Sequence, residues 1–265
     1  MKRLSLRYGP WALVTGASSG IGQAIACELA KEGFNLVLVA RKEDFLRKLA
    51  QELAAKWKTE SRTIAADLTS TVALDTVMSA TMDIDVGLLV AAAGFGTSGP
   101  FLDSPLDLEL EMLTVNCASL TALTWHFGRR FAQRRRGAGI ILLSSIVGFQ
   151  GMPWAAHYAA TKAYVQTLAE ALQIELAAKG IDVLAAAPGP TESRFAERAG
   201  MRMGKALNPE EIAWPILEAL GRKATVLPGL LSKLLVWSLL PLPRWARIRI
   251  MGQVMRGMTA HRPTA

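Results

Sequence analysis

Thr15-Gly16-Ala17-Ser18-Ser19-Gly20-Ile21-Gly22 joins the apolar run Pro10-Trp11-Ala12-Leu13-Val14 to the stretch Gln23-Ala24-Ile25-Ala26-Cys27-Glu28-Leu29-Ala30. The second stretch has the small and apolar spacing of a packed helix, ended by Gly33. Strand, glycine turn and helix start, in that order, present free backbone N–H groups and a positive helix end to a diphosphate. The glycines fall as G-x-x-x-G-x-G (Gly16, Gly20, Gly22) rather than the commoner G-x-G-x-x-G. Lacking a Cβ, they allow a sharp turn, close approach of a pyrophosphate and tight contact between helix and sheet. The arrangement predicts a dinucleotide ligand, but glycine turns also serve ordinary loops, so the surrounding pattern must decide.

Further along, apolar runs at 12–15, 35–40, 63–66, 87–92, 139–143, 182–187 and 225–227 alternate with helical patterns near 43–58, 71–81, 106–134, 157–178 and 209–220. Strands that read as continuous apolar runs between helices are parallel βαβ units, covered on both faces. The expected fold is α/β: a doubly wound, Rossmann-like sheet of seven parallel strands, with its ligand at their carboxyl ends. A chain of 265 residues suits one such domain, and 51% hydrophobic residues without a low-complexity tract describe a globular protein.

The formal net charge is +8, and its position matters more than its size. No acidic residue follows Glu218, while Arg222, Lys223, Lys233, Arg244, Arg247, Arg249, Arg256 and Arg262 do, so the body is neutral and the tail basic. Cys27 and Cys117 lie far apart in helix-like apolar contexts and read as reduced, buried thiols of a cytoplasmic protein. No His/Cys spacing suggests a metal. Met1-Lys2-Arg3-Leu4 begins as a signal peptide would, but no long apolar segment follows before Gly9 and Pro10, which argues against secretion.

The second strand ends Leu38-Val39-Ala40-Arg41-Lys42. Nineteen residues past Gly22, Arg41 stands where a carboxylate would bond the ribose 2′-OH of NAD. A planar guanidinium there suits a 2′-phosphate and favours NADP(H); a solvated arginine at a strand end is the plainer reading. Asp67, followed by Leu68, closes the third strand and reads equally as a turn or cap residue. The fourth strand ends Ala91-Ala92-Ala93-Gly94, small residues that let something flat lie close against the backbone.

Ser144-Ser145 follows the fifth strand, and Tyr158-Ala159-Ala160-Thr161-Lys162 lies on the next helix. A spacing of four sets the Tyr158 phenol and the Lys162 ammonium on one helix face. A nearby ammonium favours the phenolate and is expected to lower the tyrosine pKa from about 10. Such a phenol gives or takes a proton at a carbonyl or alcohol. Tyr-x-x-x-Lys alone is common on surface helices; with the glycine turn and Ser145 thirteen residues upstream it becomes specific.

In these motifs and their order, the chain resembles a short-chain dehydrogenase/reductase over residues 11–229. The resemblance implies a cofactor held by Gly16, Ser18, Ser19, Gly20, Ile21 and Gly22, with Arg41, Asp67, Leu68, Ala92, Ala93 and Gly94 on its adenosine side. Pro188, Gly189, Thr191 and Ser193 resemble the family's segment at the nicotinamide, serine replacing the last threonine. The implied catalytic set is Asn116, Ser145, Tyr158 and Lys162. Tyr158 would handle the proton, Ser145 hold the substrate oxygen, Lys162 bind the ribose and keep Tyr158 acidic, and Asn116 position a water. One departure is Ala91-Ala92-Ala93-Gly94 where the family has Asn-Asn-Ala-Gly, which removes amides that tie the fourth strand to its neighbours.

Residues 1–229 thus read as the dinucleotide-binding domain and 230–265 as a basic amphipathic extension. Residues 230–240 are too short to span a bilayer; beyond Pro241 and Pro243, Ile248, Met251, Met255 and Met258 fall at helical spacing among arginines. The extension reads as a lid over the substrate cleft or a subunit contact, or as a peripheral membrane attachment. Nucleic acid is not expected, since no aromatic stacking pattern accompanies the charge. Phe149, Met152, Trp154, Phe195 and Met201 favour a hydrophobic ketone or alcohol, such as a steroid, fatty-acyl or prenyl-like small molecule, and read equally as packing residues, while His157 reads as an exposed or packing residue without an evident partner. The expected protein is an NADP(H)-dependent oxidoreductase acting on CH–OH groups as a homodimer or homotetramer. The alternative is a weakly active or inactive cofactor-binding interaction or membrane-scaffold protein of the same fold.

Overall fold

A computed structural model describes residues 3–134, 136–192, 199–201 and 206–259. The strands are β1 (Trp11–Thr15), β2 (Asn35–Ala40), β3 (Ser61–Ala65), β4 (Val86–Ala91), β5 (Ala138–Leu143), β6 (Ile181–Ala186) and β7 (Thr225–Val226). They form one parallel sheet in the order β3-β2-β1-β4-β5-β6-β7. Chain order reverses between β1 and β4, and at such a switch point the carboxyl ends of the strands open a crevice.

The helices are α1 (Arg3–Tyr8), α2 (Gly20–Lys31), α3 (Glu43–Trp57), α4 (Thr71–Ser79), α5 (Leu106–Leu113), α6 (Leu120–Phe131), α7 (Ala156–Glu175), α8 (Pro209–Ala219), α9 (Leu230–Leu239) and α10 (Arg244–Thr259). Alternate residues of each strand bury against different layers. Ala12, Val14, Leu36, Leu38, Leu88 and Val90 pack under α2, α3 and α8. Leu13, Val37, Val39, Leu89, Ile140 and Leu142 pack under α4, α6 and α7. The period of two thus serves two apolar faces, which is why these strands carry no polar alternation.

Two segments depart from the sequence-based expectation. The helix expected over 106–134 is interrupted by a π turn, Thr114–Ser119, between α5 and α6. One extra residue in a turn re-aims the side chains after it, and here the wide turn carries Asn116. The N-terminal residues, read only for a leader, contain α1, whose Tyr8 hydroxyl donates to Asp182 Oδ2 at 2.6 Å while Arg7 pairs with the same oxygen at 2.5 Å. Strand boundaries differ by a residue or two, most at β3, which begins at Ser61.

Candidate active site

The glycine turn lies at the carboxyl end of β1. Gly16 and Gly20 have φ of +67° and +58°, and a Cβ on Gly16 would stand 3.0 Å from Ala92 O, Ala93 N and Ala93 Cα. A Cβ on Gly22 would stand 2.4 Å from Gly16 O, so the turn folds onto the first turn of α2 only because that atom is missing. Ser19 is extended and precedes α2, whose first amides have no partner within the helix.

From this turn a cavity of about 750 Å³ runs along the carboxyl ends of the strands. The structure places Gly16, Ser18, Ser19, Gly20, Ile21, Gly22, Arg41, Asp67, Leu68, Ala92, Ala93 and Gly94 on one part of its wall. Ser145, Tyr158, Lys162, Pro188, Gly189 and Thr191 line another part, while Ser193 lies outside the described residues. Arg41 is half-exposed with its guanidinium 4.0 Å from the Glu111 carboxylate. Asp67 Oδ1 accepts from Thr69 N at 3.1 Å and Thr69 Oγ1 at 3.0 Å, the turn geometry that its position suggests.

At the strand end that carries Ala91 and Ala92, Thr15 Oγ1 accepts from both Ala92 N and Ala93 N at 3.0 Å. Asn116 stands behind the wall rather than in it. Its Nδ2 donates to Phe95 O at 2.8 Å and Thr161 Oγ1 at 3.0 Å, and its Oδ1 accepts from Phe95 N at 3.1 Å. A side chain so tied fixes the Phe95 loop against α7.

Ser145 precedes a short 3₁₀ turn, Ile146–Phe149; its hydroxyl accepts from Val147 N and donates to Pro188 O, each at 3.4 Å. It also hydrogen-bonds Tyr158. Ser144, its neighbour, donates to Lys162 O at 3.0 Å and so ties β5 to α7. Lys162 Nζ donates to Leu143 O at 2.7 Å and lies 5.8 Å from the Tyr158 ring centroid. Both side chains are buried, and burial disfavours the charged form of each. It pushes the Tyr158 phenol well above the usual tyrosine value against the pull of the Ser145 hydrogen bond, and brings Lys162 down to about 8. The expected lowering of the phenol by the ammonium is therefore overturned in this structure: desolvation outweighs it, and the ammonium makes its bond to a carbonyl instead.

The cleft is roofed by the C-terminal extension. Met251, Val254, Met255 and Met258 of α10 and Leu235 of α9 line it opposite Met152 and Val147. Ser232 fastens the roof: fully buried, it accepts from Gly189 N at 2.9 Å. Sequence reasoning named the Ile248-Met251-Met255-Met258 spacing but not Ser232, whose signal, one hydroxyl in an apolar helix, points nowhere by itself. Of the entrance residues, Met152 and Met201 line the cleft, Phe149 is half-buried outside its wall, and Phe195 lies outside the described residues. Trp154 adopts a φ of +68° and packs under Arg256 at 5.3 Å.

His157 has a partner after all. Its Nδ1 is 2.7 Å from Glu109 Oε2, and its ring meets Phe101 edge-on at 6.3 Å. Glu109 is buried and takes Ser104 Oγ on its other oxygen at 2.5 Å. Burial works to raise this carboxyl, but hydrogen bonds from Ser104, Thr97 and His157 together hold it below its ordinary value. The pair lies 48 positions apart in sequence, which hid it.

Among the described residues, no group of His, Cys, Asp or Glu could hold a metal, and no helix is long and apolar enough to cross a membrane.

A doubly wound sheet with a glycine turn at its switch point and a Ser-Tyr-Lys group beside it defines a class of dinucleotide-dependent enzymes. The sequence model of the short chain dehydrogenase family matches residues 10–203, and the chain belongs to that family, as an oxidoreductase. It is 31% identical over 230 residues to a 7beta-hydroxysteroid dehydrogenase of Mediterraneibacter gnavus, covering 84% of this chain and 87% of the other. A solved 7beta-hydroxysteroid dehydrogenase superposes with a TM-score of 0.86 at 30% identity, covering 94% of this chain and 98% of the other. A short-chain dehydrogenase from Sphingobium yanoikuyae in complex with NADPH has a TM-score of 0.78 at 30% identity, with 97% and 98% covered. A bulky-bulky ketone specific alcohol dehydrogenase from Comamonas testosteroni has a TM-score of 0.76 at 31% identity, with 97% and 96% covered.

Proposed function

We propose that this protein interconverts a ketone and a secondary alcohol on a hydrophobic substrate with NADP(H) as the redox partner. One observation carries the reading: the Tyr158 phenol, hydrogen-bonded to Ser145 and one helical turn from Lys162, faces a cleft that begins at the glycine turn and ends under a methionine roof.

The residues fit the cofactor. The cradle at Gly16 and Gly22 is one that a Cβ would fill, and Arg41 offers a guanidinium at the β2 end where a 2′-phosphate would lie. The Sphingobium relative, which binds NADPH, supports the choice. When bound, the nicotinamide supplies or accepts the hydride at the substrate carbon.

The chain's own residues manage the oxygen and its proton. Burial keeps Tyr158 protonated at neutral pH, the form that donates to a carbonyl oxygen as the carbon is reduced; in the reverse direction the phenolate takes the alcohol proton. Ser145 holds the substrate oxygen by a hydrogen bond. Lys162, anchored on Leu143 O, presents a charge that stabilises the phenolate left after donation. Asn116 positions these groups by holding Phe95 against Thr161.

The substrate is a hydrophobic ketone or alcohol, because the space beyond Tyr158 is walled by Met152, Met201, Met251, Met255 and Met258. Methionines conform to irregular apolar shapes. The hydroxysteroid and bulky-ketone relatives support that class. In this reading residues 1–229 carry the chemistry, and α9 and α10 of the 230–265 extension close the cleft. The assembly is a homodimer or homotetramer, supported by Leu106, Leu110, Trp125 and Tyr164, exposed on α5, α6 and α7.

The test is NADPH oxidation over a panel of steroid, fatty-acyl and aryl ketones, with NADH in parallel. Turnover of a hydrophobic ketone with NADPH, lost in Tyr158→Phe while NADPH still binds, is expected. A Tyr158→Phe enzyme with near-normal rates removes Tyr158 from the mechanism, and preference for NADH overturns the cofactor.

A further inference from the structure

The two C-terminal helices each have two different faces. On α9, Ser232 and Leu235 turn inward to Gly189 and the cleft, whereas Leu230, Leu234 and Trp237, at i, i+4 and i+7, form an outward apolar stripe with exposures of 70%, 56% and 57%. On α10, Met251, Met255 and Met258 face the cleft, while Trp245, Arg249 and Arg256 are exposed. Arg249 stacks over Trp245 at 5.4 Å, so cation and aromatic lie side by side on the outer surface.

A water-facing stripe of leucine and tryptophan is unfavourable unless something covers it. Charge indicates what does. Beyond Glu218 the sequence has no Asp or Glu, and Lys233, Arg244 and Arg249 interleave with the outward apolar residues. A protein partner would have to bring a uniformly acidic rim around an apolar centre; a surface that is apolar at its centre and only positive around it matches anionic headgroups over acyl chains. Tryptophan and arginine, each with an apolar body and a polar end, are the side chains that settle at that boundary.

We propose that α9 and α10 dock flat on an anionic lipid surface, with Leu230, Leu234, Trp237 and Trp245 entering the headgroup boundary and the arginines and Lys233 on the phosphates. This rests on the preceding functional reading in one respect: the opposite face of α10 is the cleft roof, so a ketone dissolved in the lipid reaches Tyr158 by passing beneath Met251 and Met255. The helices lie on the membrane and do not cross it, consistent with their length.

Vesicle flotation of the full chain tests the docking without using turnover. Binding is expected to vesicles containing about a third phosphatidylglycerol and not to pure phosphatidylcholine, with release as salt shortens the range of the charges. Leu234→Ser with Trp237→Ser should lower the bound fraction roughly tenfold or more. Both side chains point outward, so an unchanged melting temperature shows that the fold is intact. Arg244→Gln with Arg249→Gln should weaken binding by roughly fivefold for each charge removed. Three results overturn the proposal: the parent stays unbound on both vesicle types, the serine variant binds as the parent does, or the parent is a dimer that ignores vesicles and that the serine variant converts to monomer. The last assigns the stripe to a second copy of this chain. An enzyme inactive on every ketone that still floats sinks the functional reading alone, and an active one that ignores vesicles sinks the docking alone.

Discussion

The Thr15 hydroxyl accepts the Ala92 amide at 3.0 Å and, at the same distance, the amide of the residue after it, so one side chain fastens the end of β1 to the end of β4. It does so beside the glycine turn, where the family's usual amide side chains are replaced by Ala91 and Ala92. Thr15→Val keeps the shape and removes the acceptor, leaving Ala93 N, half-buried at the cleft wall, without its protein partner. A loss of roughly 1–3 kcal/mol is expected, or roughly 2–4 °C in melting temperature for each kcal/mol. Thermal unfolding with and without NADPH reads it, and an unchanged midpoint would show that the hydroxyl is dispensable.

Arg41 is a second single-residue test. Its guanidinium leans on Glu111 at 4.0 Å and is exposed enough to turn to a phosphate. Arg41→Ala is expected to weaken NADPH by roughly 10–100-fold, the worth of a charge-assisted contact, while leaving NADH nearly unchanged. Tryptophan-fluorescence titration with both nucleotides measures the ratio. Equal losses for the two would mean that Arg41 does not read the 2′-phosphate.

The order of strands and helices was legible because both sheet faces are buried, which turns each strand into an uninterrupted apolar run such as residues 35–40. The glycine turn and Tyr158-x-x-x-Lys162 were legible because their chemistry depends on short spacing. What stayed hidden depends on contacts between distant residues. Glu109 finds His157, Ser232 finds Gly189 and Tyr8 finds Asp182 across 48, 43 and 174 positions, and nothing local marks either partner. The π turn at Asn116 was hidden for a different reason: a helix that widens by one residue keeps helical composition throughout. The environment of Tyr158 misled, because spacing shows that an ammonium is near but not how dry the site is.

The Glu109–His157 contact yields an acid-sensitive prediction. Glu109→Ala strips the half-buried Ser104 and His157 of their acceptor and is expected to cost roughly 1–3 kcal/mol at neutral pH. The Glu109 carboxyl sits below its ordinary value, so its contribution is present above the unfolded pKa of about 4.3 and disappears as pH falls through the folded one. Urea unfolding should therefore show the difference between parent and variant narrowing as the pH falls into acid. A constant difference would assign the loss to packing alone.

Lys162 has the opposite dependence, and it can be isolated in alkali. Burial lowers its folded pKa to about 8, below the unfolded value, so between the two the unfolded chain holds a proton that the folded one has released. Stability contributed by this group therefore rises with pH across that window. Lys162→Met keeps the apolar stem and removes the titration. Relative to that variant, the parent should gain roughly 2 kcal/mol between about pH 7.5 and 9.5. The window ends below the unfolded tyrosine value of about 10, so Tyr158, whose folded pKa lies higher still and which both proteins retain, adds little to the difference. Urea midpoints of the two proteins at the two pH values decide it. A difference that does not move with pH would place the Lys162 ammonium in water, where it could not stabilise a buried phenolate, and the proton-transfer role of Tyr158 would lose its support.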